Sequence, residues 1–314
     1  MAIRIGISAC LLGDQVRYDG GHKRDTFLTE TLGPLVEWVK VCPEVEVGMG
    51  TPRESIRLVD QGGALRLLTV KSGIDHTASM TAYSAQKARA LEAEQLSGYV
   101  LKKDSPSCGM TRVKVYRDKE PGRRTGVGLF AQALMDRFPH LPVEEEGRLT
   151  DPRLRENFIE RVFAYRRLRD LFESRWTVGA LVAFHTAHKL VLLSHSTQAY
   201  TALGRLVAAA ASAERATLRE RYTSGFMDAL SLVATPKRHT NVLQHMAGYF
   251  KKTLDAASRA ELQAAIEDYR LGLVPLVVPI TLIRHYVRVH EVAYLAGQAY
   301  LSPHPKELML RNHV

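Results

Sequence analysis

The periodicity of apolar residues changes once along this chain, near residue 148, and that change limits the possible folds more than any other feature. Before it, short β-rich runs alternate with helical stretches. Ile3 to Ser8 is apolar apart from Arg4, the mark of a strand buried on both faces. A glycine-rich loop follows, then a helical stretch around Phe27–Val36 and a second strand at Val39–Cys42. Ile56–Val59 and Leu65–Val70 flank Gln61-Gly62-Gly63, which predicts a hairpin. Thr77–Gln95 lacks Gly and Pro and reads as helix, Gly98–Lys102 as strand, Val127–Phe138 as helix. Strand, crossover helix and strand in succession predict an α/β domain with a mainly parallel, Rossmann-like sheet.

Pro139–Asp151, with Pro142, Glu144 to Glu146 and Gly147, reads as a boundary, which gives domains at 1–148 and 149–314. Beyond it the pattern is helical almost throughout. Asp151-Pro152 supplies an N-cap followed by proline at the first helical position, and a helix runs to about Ser174. Further helices are expected near 178–193, 197–211, 213–233, 241–254 and 259–271, and over 273–297 with breaks at Pro275 and Pro279. The second domain is thus predicted to be an all-α helical bundle.

Charge separates the halves as well. Of the net +10, residues 1–148 carry 21 basic against 19 acidic side chains, and residues 149–314 carry 22 against 14. A basic half behind a near-neutral one points to a polyanionic partner for the second domain and chemistry in the first. No apolar run approaches the roughly 18–20 residues needed to cross a bilayer, and the N-terminus reads as a strand rather than a signal peptide. A cytoplasmic protein without membrane association is expected.

The three cysteines, Cys10, Cys42 and Cys108, each follow a predicted strand. In an open α/β sheet, ligands bind beyond the carboxyl ends of the parallel strands, so three thiols distant in sequence are placed to converge at one edge. Cysteine is also a small buried hydrophobe, but Cys42-Pro43-Glu44 and Asp104-Ser105-Pro106-Ser107-Cys108-Gly109 are polar, turn-forming surroundings. Soft thiolates favour zinc or an iron–sulfur cluster over magnesium or calcium, and the cysteine count leaves both open.

Five segments, Ser8-Ala9-Cys10-Leu11-Leu12-Gly13, Arg17-Tyr18-Asp19-Gly20, Cys42-Pro43-Glu44, Thr51-Pro52-Arg53 and Ser105-Pro106-Ser107-Cys108-Gly109, together resemble the thiouracil desulfidase family. The resemblance implies a 4Fe-4S cluster on Cys10, Cys42 and Cys108, with one iron open to the sulfur of a thiolated pyrimidine. The helical half resembles the domain fused to this one in bacterial tRNA 4-thiouridine desulfidases, which implies non-redox, hydrolytic desulfuration of 4-thiouridine in tRNA to uridine. Glu44, two residues from Cys42, is the first candidate for general acid/base work. Ser105 is its catalytic companion by resemblance, and Ser107, Tyr18 and Arg53 are candidates for binding substrate.

A free thiouracil needs no large basic domain, whereas RNA phosphates are held largely by Lys and Arg. Candidate RNA contacts are Arg166, Arg169, Lys237, Arg238, Lys251 and Lys252. His185 and His188 stand three apart on a predicted helix, but without the ligand set of a metalloprotease-type motif. Two other functions compete: a desulfidase for free thiouracil or thiouridine whose helical domain serves oligomerisation, and a zinc-containing RNA-binding protein without catalysis.

Overall fold

The computed structural model describes residues 3–117, 120–173 and 175–313. The chain divides into two compact units, Met1–Thr150 and Asp151–Val314.

In the first unit the elements run β1 (Arg4–Ser8), β2 (Glu37–Val41), β3 (Ile56–Gln61), β4 (Ala64–Thr69), α1 (Thr77–Ala90), β5 (Gly98–Leu101), β6 (Val113–Tyr116), β7 (Arg123–Gly126), α2 (Leu129–Arg137) and β8 (Val143–Glu145). One sheet, in the order β2-β1-β5-β8, is parallel at every junction. Its central strands explain the apolar run at the N-terminus, since Ile5, Ile7, Tyr99 and Val100 are all fully buried. A second, mixed sheet, β4-β3-β6-β7, contains the expected hairpin. Gly62 and Gly63 both take positive φ there, as a two-residue primed turn requires.

Several expectations at element level are corrected. The helix expected around Phe27–Val36 is a π-helical segment, Phe27–Leu32, passing into a 3-10 turn, Gly33–Leu35, because Pro34 cannot extend the backbone ladder. The helix beginning at Thr77 stops at Ala90 rather than Gln95, and Gln95 takes a left-handed conformation. The acidic run at 144–146 is not a linker, because Val143–Glu145 forms the fourth strand of the parallel sheet. Each carboxylate there has its own partner: Glu144 pairs with Arg148 (2.7 Å), Glu145 accepts from the Met110 amide (2.8 Å), and Glu146 pairs with Lys102 (2.5 Å). Arg148 stands only four residues on, but Met110 and Lys102 are remote in sequence, so a paired strand reads as a boundary.

The second unit is all-helical among the described residues: α3 (Pro152–Glu173), α4 (Val178–His195), α5 (Thr197–Ala208), α6 (Arg215–Ser231), α7 (Pro236–Gly248), α8 (Ala256–Arg270), α9 (Val277–Val289) and α10 (Ala293–Ala296). Ser174, the expected end of α3, lies outside the described residues. Side-chain caps set several starts: Thr177 accepts from the Ala180 amide, Thr235 from Arg238 and Asp255 from Ser258. Helix α7 starts earlier than expected because Thr235-Pro236 is a cap with proline at the first turn. Pro279 sits inside the first turn of α9, where a missing N–H costs nothing. One continuous apolar core, including Phe226, Leu230, Leu243, Phe250 and Ile283, holds these helices together. No helix among the described residues is long and apolar enough to cross a membrane.

Candidate active site

All three cysteines lie beyond the carboxyl edge of the parallel sheet. Cys10 stands in the 3-10 turn Ala9–Leu12 that follows β1, Cys42 directly follows β2, and Cys108 lies in the loop after β5. They line one cavity of about 360 Å³, together with Glu44, Arg53 and Ser105. Parallel strands explain the convergence, since neighbouring strands end on the same side and so do the residues that follow them.

The Cys108 loop is held by its own turn and by α2. The Ser105 hydroxyl accepts from the amides of Ser107 (3.2 Å) and Cys108 (3.0 Å). The Pro106 and Ser107 carbonyls accept from Leu129, Phe130 and Ala131, which satisfies free amides at the start of α2. This contact needs glycine at 128, because a Cβ there would come within 2.5 Å of the Ser107 carbonyl. Cys42 is fixed by Glu46, whose Oε1 accepts from the Cys42 amide (3.0 Å) while Oε2 accepts from the Tyr83 hydroxyl (2.8 Å).

Two carboxylates line the cavity: Asp104, exposed and paired with Arg124 (2.7 Å), and Glu44. Its Oε2 is gripped by the Arg53 guanidinium, with Nε at 3.1 Å and Nη2 in closer contact. Ser105 Oγ donates to Oε1 at 3.4 Å, so Oε1 is the oxygen left for chemistry. Arg53 is itself 6% exposed at its side chain and also donates to the carbonyls of Val16 and Gly50, each at 2.9 Å. A guanidinium spending its donors this way acts as a clamp on Glu44 and two loops while lining the cavity.

Burial dominates the cysteines. It pushes the Cys10 thiol up to about 11, against the pull of Lys102, and raises Cys42 against the amides of Val45 and Glu44. Cys108 is raised further, by burial and then by the charge of Glu44, while the Ser8 hydroxyl works the other way. Bound metal replaces the proton on such a thiol outright.

The other expected residues divide. Tyr18 lines the cavity and is 45% exposed, with the Arg17 guanidinium 5.4 Å from its ring centroid. Ser107 is fully buried and outside the cavity lining, so it supports the loop and is corrected as a substrate contact. The sequence reading missed Lys102, which lines the cavity beside Cys10 and is held by Glu146 at 2.5 Å. The one available signal was its place at the end of a strand.

Among the candidate RNA contacts, Arg166 is buried and paired with Asp170 (2.7 Å), and Arg169 is paired with Glu173 (2.6 Å). Arg166 is therefore corrected: its guanidinium is buried and paired with Asp170 on its own helix. Lys237, Lys251 and Lys252 are exposed and Arg238 is half-buried. His185 bonds the Tyr222 hydroxyl (3.1 Å) and His188 stacks on Phe184, each buried in the apolar core.

Zinc and an iron–sulfur cluster are the two centres that thiols suggest. Among the described residues, no three His, Cys, Asp or Glu side chains are arranged to hold a single ion. Three thiols lining one cavity are a soft donor set that fits an iron–sulfur cluster. The chain holds three cysteines in all.

Fold and site together define a chain of two modules: an α/β domain with a thiol-lined cavity at its sheet edge, and an all-helical domain behind it. A profile of the family described as 2-thiouracil desulfurase matches residues 5–146, and one described as a protein of unknown function (DUF1722) matches residues 189–305. Uncharacterized protein YbgA of Escherichia coli (strain K12) is 37% identical over 161 residues, which is 51% of this chain and 95% of that protein. Uncharacterized protein YbbK of Bacillus subtilis (strain 168) is 30% identical over 138 residues, 41% of this chain and 87% of that protein. A solved structure titled 4Fe-4S-dependent thiouracil desulfidase TudS is 32% identical, with a TM-score of 0.41, covering 50% of this chain and 99% of its own. The chain belongs to the 2-thiouracil desulfurase family through its first domain, with a DUF1722 helical region fused behind it.

Proposed function

We propose that the first domain removes sulfur from a thiolated pyrimidine without redox change, and that the substrate is 4-thiouridine in tRNA. The observation that carries this reading is the cavity that gathers Cys10, Cys42, Cys108, Glu44 and Ser105. Cys10, Cys42 and Cys108 are the residues that would hold a 4Fe-4S cluster, and no fourth cysteine exists to close the last iron. When bound, that cluster supplies a Lewis-acidic iron with affinity for sulfur.

The net reaction exchanges the thiocarbonyl sulfur for the oxygen of water, with sulfide leaving and no electrons gained or lost. This chain's residues supply the proton traffic. Glu44 Oε1 takes a proton from the incoming water and passes it on to the leaving sulfide. Arg53 holds Oε2 so that Oε1 keeps one direction, and Ser105 orients it from the other side. Tyr18 at the exposed rim offers a ring face to the base.

The helical domain binds the RNA in this reading. Its candidate phosphate contacts narrow to Lys237 and Arg238 at the start of α7 and to Lys251 and Lys252 just beyond its end. With 13 residues, α7 sets these pairs about 20 Å apart, and the first pair also benefits from the free amides of a helix N-terminus. A cytoplasmic location accords with an RNA substrate.

The test is loss of the 4-thiouridine chromophore from tRNA on incubation with anaerobically reconstituted protein, at increasing salt. Turnover on tRNA that falls steeply with salt, beside salt-insensitive turnover on free 4-thiouracil, supports the reading. Equal turnover and equal salt response on both would assign the free base as substrate. A colourless protein carrying one zinc would overturn the cluster.

A further inference from the structure

Helix α7 turns three different sides to its surroundings. Val242, Leu243, Met246 and Ala247 are buried in the apolar core. Gln244 is bonded to Gln263 of α8 (2.9 Å), so a second side is committed to a neighbouring helix. The third side is exposed: Asn241, His245 and Tyr249 stand four residues apart, and Lys252 follows three further on. The chain keeps turning beyond Gly248, because the amides of Tyr249, Phe250 and Lys251 donate to carbonyls three residues back. In such a tightened turn residues three apart lie one above the other, which sets Lys252 over Tyr249 and completes a single stripe. Arg238, half-buried and three residues before Asn241, begins it.

Tyr249 differs from the other aromatic side chains of the domain. It is 48% exposed and stacks on Tyr294 of α10, with ring centroids 5.1 Å apart and planes 13° from parallel. Tyr294 is packed against the helical core, so it holds one face of the Tyr249 ring from below. An aromatic ring that is already oriented loses little freedom when a second flat ring settles on it.

Charge along this side has one sign. No acidic residue occurs between Asp228 and Asp255, a stretch that holds Lys237, Arg238, Lys251 and Lys252. Asn241, His245 and Lys252 make no side-chain hydrogen bond or ion pair among the described residues. The stripe therefore offers cations at both ends, about 21 Å apart at 1.5 Å per residue, with free polar groups and a ring between them.

We infer that this stripe binds unpaired RNA, with a base stacked on Tyr249 and the flanking phosphates at Lys252 and Arg238. Stacking on an aromatic side chain and phosphate contacts from cations are the two contributions that hold single strands. A base inside a duplex is covered by its neighbours, so a loop, a bulge or a free end must supply it. Asn241 and His245 lie between the cations, where base edges would pass. An acidic peptide would satisfy the cations but not the ring, and an anionic membrane surface calls for large apolar side chains that the stripe lacks. The inference rests on the RNA reading of the helical domain and adds which nucleotides it grips.

Fluorescence anisotropy of the full-length chain with a short single-stranded RNA, the same RNA paired with its complement, and tRNA, each over a range of salt, tests it. Tyr249→Ala should weaken the single strand and tRNA about tenfold, leave the duplex unchanged and leave the salt slope unchanged. Tyr249→Phe should bind like the parent chain, and Lys252→Ala should lower the slope by about one. His245→Glu, which sets an acid in the exposed stripe, should also weaken RNA about tenfold, and it keeps the test decisive if Tyr249→Ala unfolds the domain. Single-strand affinity indifferent to Tyr249→Ala overturns the inference, as does an equal loss on the duplex or RNA binding unchanged by His245→Glu. Polyglutamate or anionic lipid vesicles bound as tightly as RNA, with the same dependence on Tyr249, would assign the face to another partner and overturn it too. Absence of salt-dependent binding to any RNA overturns the RNA reading and this inference together, whereas RNA binding that ignores Tyr249 overturns this inference alone.

Discussion

Both domains bury charge, but they place it differently. In the first, Glu44 and its partners Arg53 and Ser105 come from loops at the edge of a sheet, within about a hundred positions of one another and next to cysteines. In the second, Glu156, Glu160, His195 and Arg311 come from helices and the C-terminal segment, and they meet inside the bundle. A sheet edge collects short motifs on one side of the fold, whereas a bundle interior gathers single residues from remote turns. The first arrangement builds a reactive surface; the second ties the stability of its domain to its ionic interior.

The largest effect that would sharpen this contrast is on turnover. Cys10→Ser, Cys42→Ser and Cys108→Ser should each remove measurable desulfuration, while the acid and thermal unfolding of the helical domain stays unchanged. Retained turnover in any of the three would break the comparison. Next is Glu44→Gln, expected to lower kcat about 10²–10⁴-fold with substrate binding and iron content preserved. If iron content falls in step with kcat, Glu44 supports the site rather than moving protons.

The third is a stability effect confined to the helical domain. Glu156→Ala leaves the buried Arg311 without its nearest carboxylate, which should cost about 3–5 kcal/mol. The first domain should melt as before, a difference that calorimetry with two resolved transitions reads directly.

Acid should act on the same domain. Burial lowers His185 and His188 from 6.5 to about 4, and burial together with Arg311 does the same to His239. Between those values the unfolded chain takes up protons that the folded domain refuses, so stability is lost as pH falls from 6.5 toward 4. Burial works to raise Glu160, but His195 and Arg311 outweigh it and leave its pKa lowered. Its contribution therefore survives this window and disappears only at more acidic pH. Circular dichroism should show helix loss beginning below about pH 6.5, and helicity that stays intact to pH 4 would contradict the burial of these rings.

The smallest effect is on RNA. Lys251→Ala and Lys252→Ala should each reduce the salt dependence of tRNA binding by about one in log–log slope, without changing the thermal transition. Arg166→Ala should instead destabilise the bundle.

Much of the first site was legible because each cysteine follows a strand and carries a polar turn with it. The parallel sheet could be read from buried apolar runs. Its fourth strand could not, since Glu145 and Glu146 look solvated until Met110 and Lys102 are brought to them. Arg53 illustrates the same limit: its target lies nine residues back, and only the loop geometry selects Glu44 over Glu54 or Asp60. In the helical half, Arg166 looked like one of a basic cluster, yet it is buried and paired with Asp170 one helical turn on. Nothing in the spacing of Glu160, His195 and Arg311 announces that they meet.

The three thiols hang from β1, β2 and the chain after β5, strands that are hydrogen-bonded neighbours in the order β2-β1-β5. Their spacing is therefore a property of strand register. Slipping β2 by one residue against β1 would turn Cys42 toward the other face of the sheet and withdraw it from the cavity.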